Sequence, residues 1–273
     1  MLTATVAQDA PLFSHRDARG VLTLTMNRPG NFNALGEEML GALQAAIDAA
    51  SRDDTLRVVV LASAGKAFCP GHNLKEMIAL PENEALAYYQ SLFSRCSRVM
   101  LGLLQLPVPV IARVQGLATA AGCQLVAQCD LAVAADSARF ATSGIAYGLF
   151  CSTPSVALSR NVGTKQAMEM LLTGEFVDAA QAQQMGLVNR VVPAGELDAE
   201  IEVLVRSILD KPRVAMAMGK RLFYQQREMG IEAAYQLAGQ TMAVNMMDPA
   251  AREGVLAFTE KRLPAWRVAK GQA

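Results

Sequence analysis

The chain has 273 residues, 52% of them apolar, which suits one large domain with a sizeable core, or one domain with a helical appendage. Its 25 Lys+Arg balance 25 Asp+Glu, leaving no basic stripe or acidic tail of the kind that marks a nucleic-acid or membrane-surface protein. Five cysteines (Cys69, Cys96, Cys123, Cys129, Cys151) without metal-ligand spacing predict free thiols in a reducing setting, and two histidines exclude a multi-histidine metal site.

Residues 1–10 lack a basic region followed by an apolar stretch, so no signal or transit peptide is expected. No apolar run reaches about 18 residues, so no membrane span is expected either. A cytoplasmic location follows as the expectation. Strands are predicted over 12–17 and 21–27 around the Ala18-Arg-Gly20 turn, which reads as a hairpin. Residues 35–50 carry Leu40, Leu43 and Ile47 at helical spacing. The β-branched runs 58–62 and 108–114 read as buried parallel strands, with a helix over 80–104 between them. A helix over 120–129 leads into a strand over 131–134. Helices over 154–161, 164–173 and 178–185 precede a last strand over 187–192. Beyond Pro193 the pattern is helical throughout: 197–210, 213–229, 231–247 and 249–261. Strands alternating with helices, then helices alone, predict an α/β fold of parallel units closed by a helical layer. The apolar stripes of that layer face either a partner subunit or the chain's own core.

There is no G-x-S-x-G elbow, P-loop or G-x-G-x-x-G. Two segments remain, Lys66-Ala-Phe-Cys-Pro-Gly-His-Asn-Leu-Lys-Glu-Met77 and Gln115-Gly-Leu-Ala-Thr-Ala-Ala-Gly-Cys-Gln-Leu125. Each puts small residues where a strand gives way to a helix. Backbone N–H groups there are free donors aided by the helix dipole. Small side chains admit a ligand to that backbone, or serve only to pack it.

Seven segments in order resemble the enoyl-CoA hydratase/isomerase, or crotonase, superfamily. They are Met26-Asn-Arg-Pro-Gly-Asn-Phe-Asn-Ala-Leu35, the 66–77 segment, Val108-Pro-Val-Ile-Ala-Arg-Val-Gln-Gly116, Gly122-Cys-Gln-Leu-Val-Ala-Gln-Cys-Asp130, Ala138-Arg-Phe140, Ala182-Gln-Gln-Met-Gly-Leu-Val-Asn-Arg-Val-Val-Pro193 and Arg252-Glu-Gly-Val-Leu-Ala-Phe-Thr-Glu-Lys261. Within the superfamily the pattern is most similar to the group called enoyl-CoA hydratase domain-containing protein 3.

The resemblance implies a ClpP/crotonase-like spiral of ββα units over 1–195 and a helical trimerisation region over 196–273. It also implies a homotrimer or a hexamer of paired trimers. The substrate implied is an acyl-CoA thioester, with coenzyme A entering as part of the substrate and no separate cofactor or metal. The backbone N–H groups of His72 and Ala121 would polarise the thioester carbonyl. Phe32, Ala34, Ala67, Pro70, Gly71, Asn73, Leu74, Gly116, Ala120 and Ser152 would line the ligand. Phe258 and Lys261 match C-terminal positions that contact coenzyme A, in some members from a neighbouring subunit.

Three departures stand out. Hydratases of the superfamily use two glutamates; Gln124 occupies the position of the first and Gly144 that of the second. A third acid position corresponds to Ser152. Ordinary hydration is therefore expected to be weak or lost. The double change Gln124→Glu with Gly144→Glu is expected to raise it if the pocket is otherwise intact. Ala120 and Ala121 also stand where glycines are usual, tolerable on this reading only if φ is negative. The His72 ring either packs while its N–H alone matters, or takes part of the glutamates' role. The Gly-His-Asn segment is similar to Gly-His-Asp of methylmalonyl-CoA decarboxylases, so a malonyl-type decarboxylase and a non-catalytic acyl-CoA binder stand as alternatives. Tyr147, Cys151, Glu76 and Asp130 read as structural.

Overall fold

The computed structural model describes residues 10–268. The expectation about the amino-terminal stretch therefore falls, for residues 1–9, outside the described residues. Strands β1 (Leu12–Arg16) and β2 (Val21–Met26) form the expected antiparallel hairpin. Strands β3 (Val58–Ser63), β4 (Ala67–Cys69), β5 (Val110–Val114), β6 (Leu117–Thr119), β7 (Leu131–Ala135), β8 (Arg139–Ala141), β9 (Val177–Asp178) and β10 (Arg190–Val192) follow. Two sheets result, a six-stranded one ordered β1-β2-β3-β5-β7-β10 and a four-stranded one ordered β4-β6-β8-β9.

The pairs β3/β4, β5/β6 and β7/β8 each give one strand to each sheet, and helical structure follows each pair. All pairings are parallel except β1–β2 and β8–β9. The expected parallel units are thus ββα units. Strand β3 shows why its sequence reads as a continuous apolar run. Val59 and Leu61 enter one core and Val58 and Val60 the other, so both faces are buried. Strand β5 starts at Val110, two residues later than the sequence pattern places it. Pro109 has no N–H for a ladder, and its carbonyl accepts from Val59 N at 2.9 Å.

On one side of the large sheet lie α1 (Glu37–Ser51), α3 (Glu82–Gln105) and the small sheet. Helix α1 presents Leu40, Leu43 and Ile47 there, as their spacing predicts. On the other side α8 (Leu197–Leu209) seats Leu197, Ile201, Leu204, Val205, Ile208 and Leu209 against Val21, Val58, Val60, Ile111, Val133 and Ala135. The later helices differ. Helix α9 (Arg213–Gln226) has no fully buried residue, α10 (Ile231–Met247) has only Ala234, and α11 (Pro249–Thr259) only Ala257. Ile231, Tyr235, Met242, Met247 and Phe258 are left exposed in the single chain.

Helix α9 is nevertheless fixed to the core by a buried polar cluster. Lys220 Nζ donates to Asp130 Oδ2 at 2.7 Å and to the carbonyls of Leu103 and Val108. Tyr224 OH donates to Asp130 Oδ1 at 2.8 Å, and Val110 N to Asp130 Oδ2 at 2.7 Å. Among the described residues no helix is long and apolar enough to cross a membrane.

Candidate active site

Of the candidate site residues, those from Pro70 to Leu74, from Ala120 to Gln124 and Gly144 follow the carboxyl ends of β4, β6 and β8, where open α/β sheets place ligands. After β4 the chain runs through Pro70, Gly71, His72 and Asn73 into α2 (Leu74–Ile78), with Asn73 capping the helix by accepting from Lys75 N. After β6 it passes Ala120 into α4 (Ala121–Gln128). Thr119 Oγ1 donates to the Pro70 carbonyl at 2.9 Å and ties the two loops together.

The small residues divide by role. A Cβ on Gly122 would stand 2.0 Å from the Cys69 carbonyl oxygen, and one on Gly116 2.1 Å from that of Lys66. Both glycines serve backbone close packing. At Gly71, with φ +104°, a Cβ would stand 3.3 Å from Ala121 N, so the two loops converge at that amide. Among the described residues the N–H groups of His72 and Ala121 donate to no acceptor. The two unpartnered amides thus lie on loops that approach each other at Gly71, that of Ala121 at the dipole-positive end of α4.

Ala120 departs from expectation. It has φ +47° and ψ −120°, not the negative φ on which a non-glycine residue there was expected to depend. Such a conformation costs about 1–3 kcal/mol and persists only where the surroundings impose it. Here Ala120 N donates to the Ala141 carbonyl at 2.9 Å, and the Ala120 carbonyl accepts from Gln124 N at 3.0 Å. Ala121 itself is the first helical residue.

The third wall is the turn before α1. Phe32 and Asn33 both have left-handed backbone, φ +58° and +63°. Asn33, fully buried, was not singled out from the sequence. Its amide donates to the carbonyls of Ala64 and Ala67, and its Oδ1 accepts from Arg28 N. Leu35 N donates to the Gly71 carbonyl at 2.8 Å, which seats this turn against the first amide loop. Asn in a left-handed turn was the available signal; its acceptors Ala64 and Ala67, more than 30 residues away in sequence, were not. Ala34 and Ala67 are buried and Leu74 is exposed, while Lys66 Nζ lies 5.4 Å over the exposed Phe32 ring. Phe258 is 85% exposed at the end of α11, and Lys261 follows it; α11 packs on α10.

Gln124, Gly144 and Ser152, the positions at which the resemblance implies acids, carry no carboxylate. Gln124 is buried, and among the described residues its Oε1 has no hydrogen-bond partner. Ser152 opens α5 (Ser152–Leu158) and donates to the Phe150 carbonyl at 3.3 Å. Gly144 lies in the single-turn helix Ser143–Tyr147, and a Cβ there would meet the Leu149 carbonyl oxygen at 2.4 Å and Cys151 Sγ at 2.9 Å. A side chain at 144 therefore requires the Leu149 backbone to move, so the intact pocket on which the expected gain from Gly144→Glu depends is not kept at this position. Glu76 is engaged elsewhere. It accepts from Asn73 Nδ2 and from Glu37 N at the start of α1.

The His72 ring is oriented. Nδ1 lies 3.1 Å from the Leu35 carbonyl, which fixes the proton on Nδ1, and the ring meets Phe93 edge-on at 5.4 Å. Nε2 is buried and has no hydrogen-bond partner among the described residues. Burial holds the His72 pKa below its ordinary 6.5, against the smaller opposing effect of the Leu35 hydrogen bond. Between that depressed value and 6.5 the unfolded chain binds more protons than the folded one, so stability must fall as pH drops through this window. Urea unfolding of wild type and His72→Gln at pH 7.5 and 5.0 is expected to show the larger acid loss in wild type. The five cysteines are free and buried, and burial pushes Cys69, Cys96 and Cys123 up to about 12, so none is a poised nucleophile at neutral pH.

Paired strands feeding two sheets in a spiral, with free amides at the strand ends, define a crotonase-fold protein. The family model described as enoyl-CoA hydratase/isomerase matches residues 16–269. The chain is 44% identical to "Enoyl-CoA hydratase domain-containing protein 3, mitochondrial" of Homo sapiens over 255 residues, 93% of this chain and 82% of that protein. A crystal structure of that human protein superposes with a TM-score of 0.89 at 42% identity, covering 94% of this chain and all of the other. An enoyl-CoA hydratase structure from Mycobacterium smegmatis gives a TM-score of 0.91 at 63% identity, covering 94% and 99%. The chain belongs to the enoyl-CoA hydratase/isomerase family, and its pattern is shared with the domain-containing protein 3 group, as the sequence motifs imply.

Proposed function

We propose that this chain binds an acyl-CoA thioester at the junction of the β4 and β6 loops and polarises its carbonyl with the N–H groups of His72 and Ala121. The observation that carries this reading is the pair of unsatisfied amides on loops that touch at Gly71. A preorganised donor of this kind contributes about 3–4 kcal/mol where negative charge develops on the oxygen. Phe32, Ala34, Ala67, Pro70, Asn73 and Leu74 line the approach. Coenzyme A enters as part of the substrate, with no further cofactor. Gln124 and Gly144 supply no proton transfer, so hydration of crotonyl-CoA is slow and the chemistry is lyase or isomerase chemistry with a non-standard residue set.

A second reading is favoured by the same uncharged positions. Loss of carbon dioxide from a malonyl-type thioester yields the enolate without any base, and a pocket without carboxylates does not repel the substrate. The deciding experiment is calorimetric binding of butyryl-CoA followed by turnover assays on crotonyl-, malonyl-, methylmalonyl- and ethylmalonyl-CoA. Binding is expected, with crotonyl-CoA hydration far below that of a glutamate-bearing hydratase. Failure to bind butyryl-CoA overturns the reading. Decarboxylation of none of the three malonyl-type thioesters removes the second reading, and tight binding without conversion of any of them leaves an acyl-CoA binder.

The uncovered apolar faces of α10 and α11 support assembly through the C-terminal helices as a trimer or paired trimers. Ultracentrifugation is expected to give three or six times the 29.1 kDa chain mass. The free thiols support a reducing setting such as the cytoplasm, which cell fractionation checks.

A further inference from the structure

We propose that Glu76 is a positioning residue for the first amide: its carboxylate ties the loop that carries the His72 N–H to the start of α1 and so fixes the direction in which that N–H points. The proposal rests on the reading of His72 and Ala121 as carbonyl-binding donors. A trans peptide is planar, with its C=O and N–H pointing opposite ways, and the described residues contain no cis peptide bond. The His72 N–H shares a peptide with the Gly71 carbonyl, which accepts from Leu35 N at 2.8 Å. The N–H is therefore aimed away from the Leu35 amide. It keeps that aim only while the 71–73 loop and the 35–37 segment hold their relative orientation.

Leu35 alone does not fix that orientation. Both of its bonds to the loop, from its N–H to Gly71 and from its carbonyl to His72 Nδ1, meet at one residue, about which the loop can rock. Glu76 supplies a second point of attachment on the far side of His72. Its Oε1 accepts from Nδ2 of Asn73, the next residue, at 2.6 Å, and its Oε2 accepts from Glu37 N at 3.3 Å. Glu37 opens α1, so its N–H has no acceptor within the helix, and the N-cap residue Gly36 has no side chain to offer one. A Cβ on Gly36 would stand 2.4 Å from both Glu76 carboxylate oxygens, so glycine there leaves the space that the carboxylate takes. The other two acids at this helix end are engaged with arginines, Glu37 with Arg95 at 3.5 Å and Glu38 with Arg28 at 2.7 Å. Of the three, Glu76 is the one that reaches the amide loop.

The test uses the full-length protein and butyryl-CoA labelled with carbon-13 at the carbonyl. Difference infrared spectroscopy reads carbonyl polarisation as a shift of the C=O band to lower frequency on binding. S-butyl-CoA, with methylene in place of the carbonyl, reads binding without it. Wild type is expected to shift the band and to favour butyryl-CoA over S-butyl-CoA by about tenfold, the scale of a hydrogen-bonded carbonyl. Glu76→Ala is expected to shift the band less and to cut the preference to about threefold, with S-butyl-CoA binding unchanged. Glu76→Gln, whose one amide oxygen cannot serve both donors, is expected to lose part of the shift. Glu38→Ala removes a carboxylate from the same helix end without touching the loop, and is expected to keep both the shift and the preference. All three variants are expected to melt within about 3 °C of wild type, the scale of one charge at a helix end. A full shift and preference in both Glu76 variants overturns the positioning role and leaves the carbonyl site standing. So does an equal loss in Glu38→Ala, or an equal weakening of S-butyl-CoA and butyryl-CoA binding in Glu76→Ala. No band shift in wild type overturns the carbonyl site itself.

Discussion

Replacing Asp130 by alanine is expected to lower the free energy of unfolding by about 3–5 kcal/mol, the cost of leaving a buried charge without its partner. The Asp130 and Lys220 side chains are 16% and 7% exposed. Without Asp130, Lys220 retains two carbonyl acceptors, from Leu103 and Val108, but no counter-ion. Tyr224 OH and Val110 N lose their acceptor as well. Burial already holds the Lys220 pKa below its ordinary value, with Asp130 the chief opposing influence, so removing the carboxylate makes deprotonation the easiest relief. Urea unfolding at pH 7 measures the loss. The double variant Asp130→Ala/Lys220→Met is expected to lose much less than the two single losses combined, because each single change strands what the double change removes. Additive losses would mean that the ion pair does not hold α9 to the core.

The second large effect concerns catalysis. Gln124→Glu alone is expected to raise crotonyl-CoA hydration by about 10²-fold, within the range for one general acid–base group. Position 124 lies one helical turn beyond the Ala121 amide, and its side chain is already accommodated in the interior. Adding Gly144→Glu is expected to erase the gain. The first side-chain carbon at 144 would lie 2.4 Å from the Leu149 carbonyl oxygen, which is backbone and held by the Leu149 N to Gly144 O hydrogen bond. Steady-state hydration assays on the single and double variants decide it. A double variant more active than the single one would show that the Ser143–Tyr147 turn yields readily, and that the second acid position is open after all.

Much of this was legible in the chain. The hairpin, the buried strands β3, β5 and β7 and the helices α1, α3 and α6 (Thr164–Thr173) follow from periodicities long enough to register. The small sheet did not, because three-residue strands such as β4, β6 and β8 carry no measurable alternation and depend on neighbours for their ladders. Asp130 read as structural at the end of a helix, and it is; that Lys220 and Tyr224 come to it could not be read, since they lie 90 and 94 residues away. Asn33 was passed over for the same reason.

The sequence by itself determined the class of fold, the family and the absence of a carboxylate at Gln124, Gly144 and Ser152, since these depend on residue type and order alone. The tertiary structure decided what separations and angles decide. It separated packing glycines, Gly116 and Gly122, from Gly71, where the second amide loop comes close. It closed the Gly144 position with a carbonyl from the next turn. It gave Ala120 a backbone that its side chain disfavours, because hydrogen bonds from β6, β8 and α4 together outweigh the local preference of one residue.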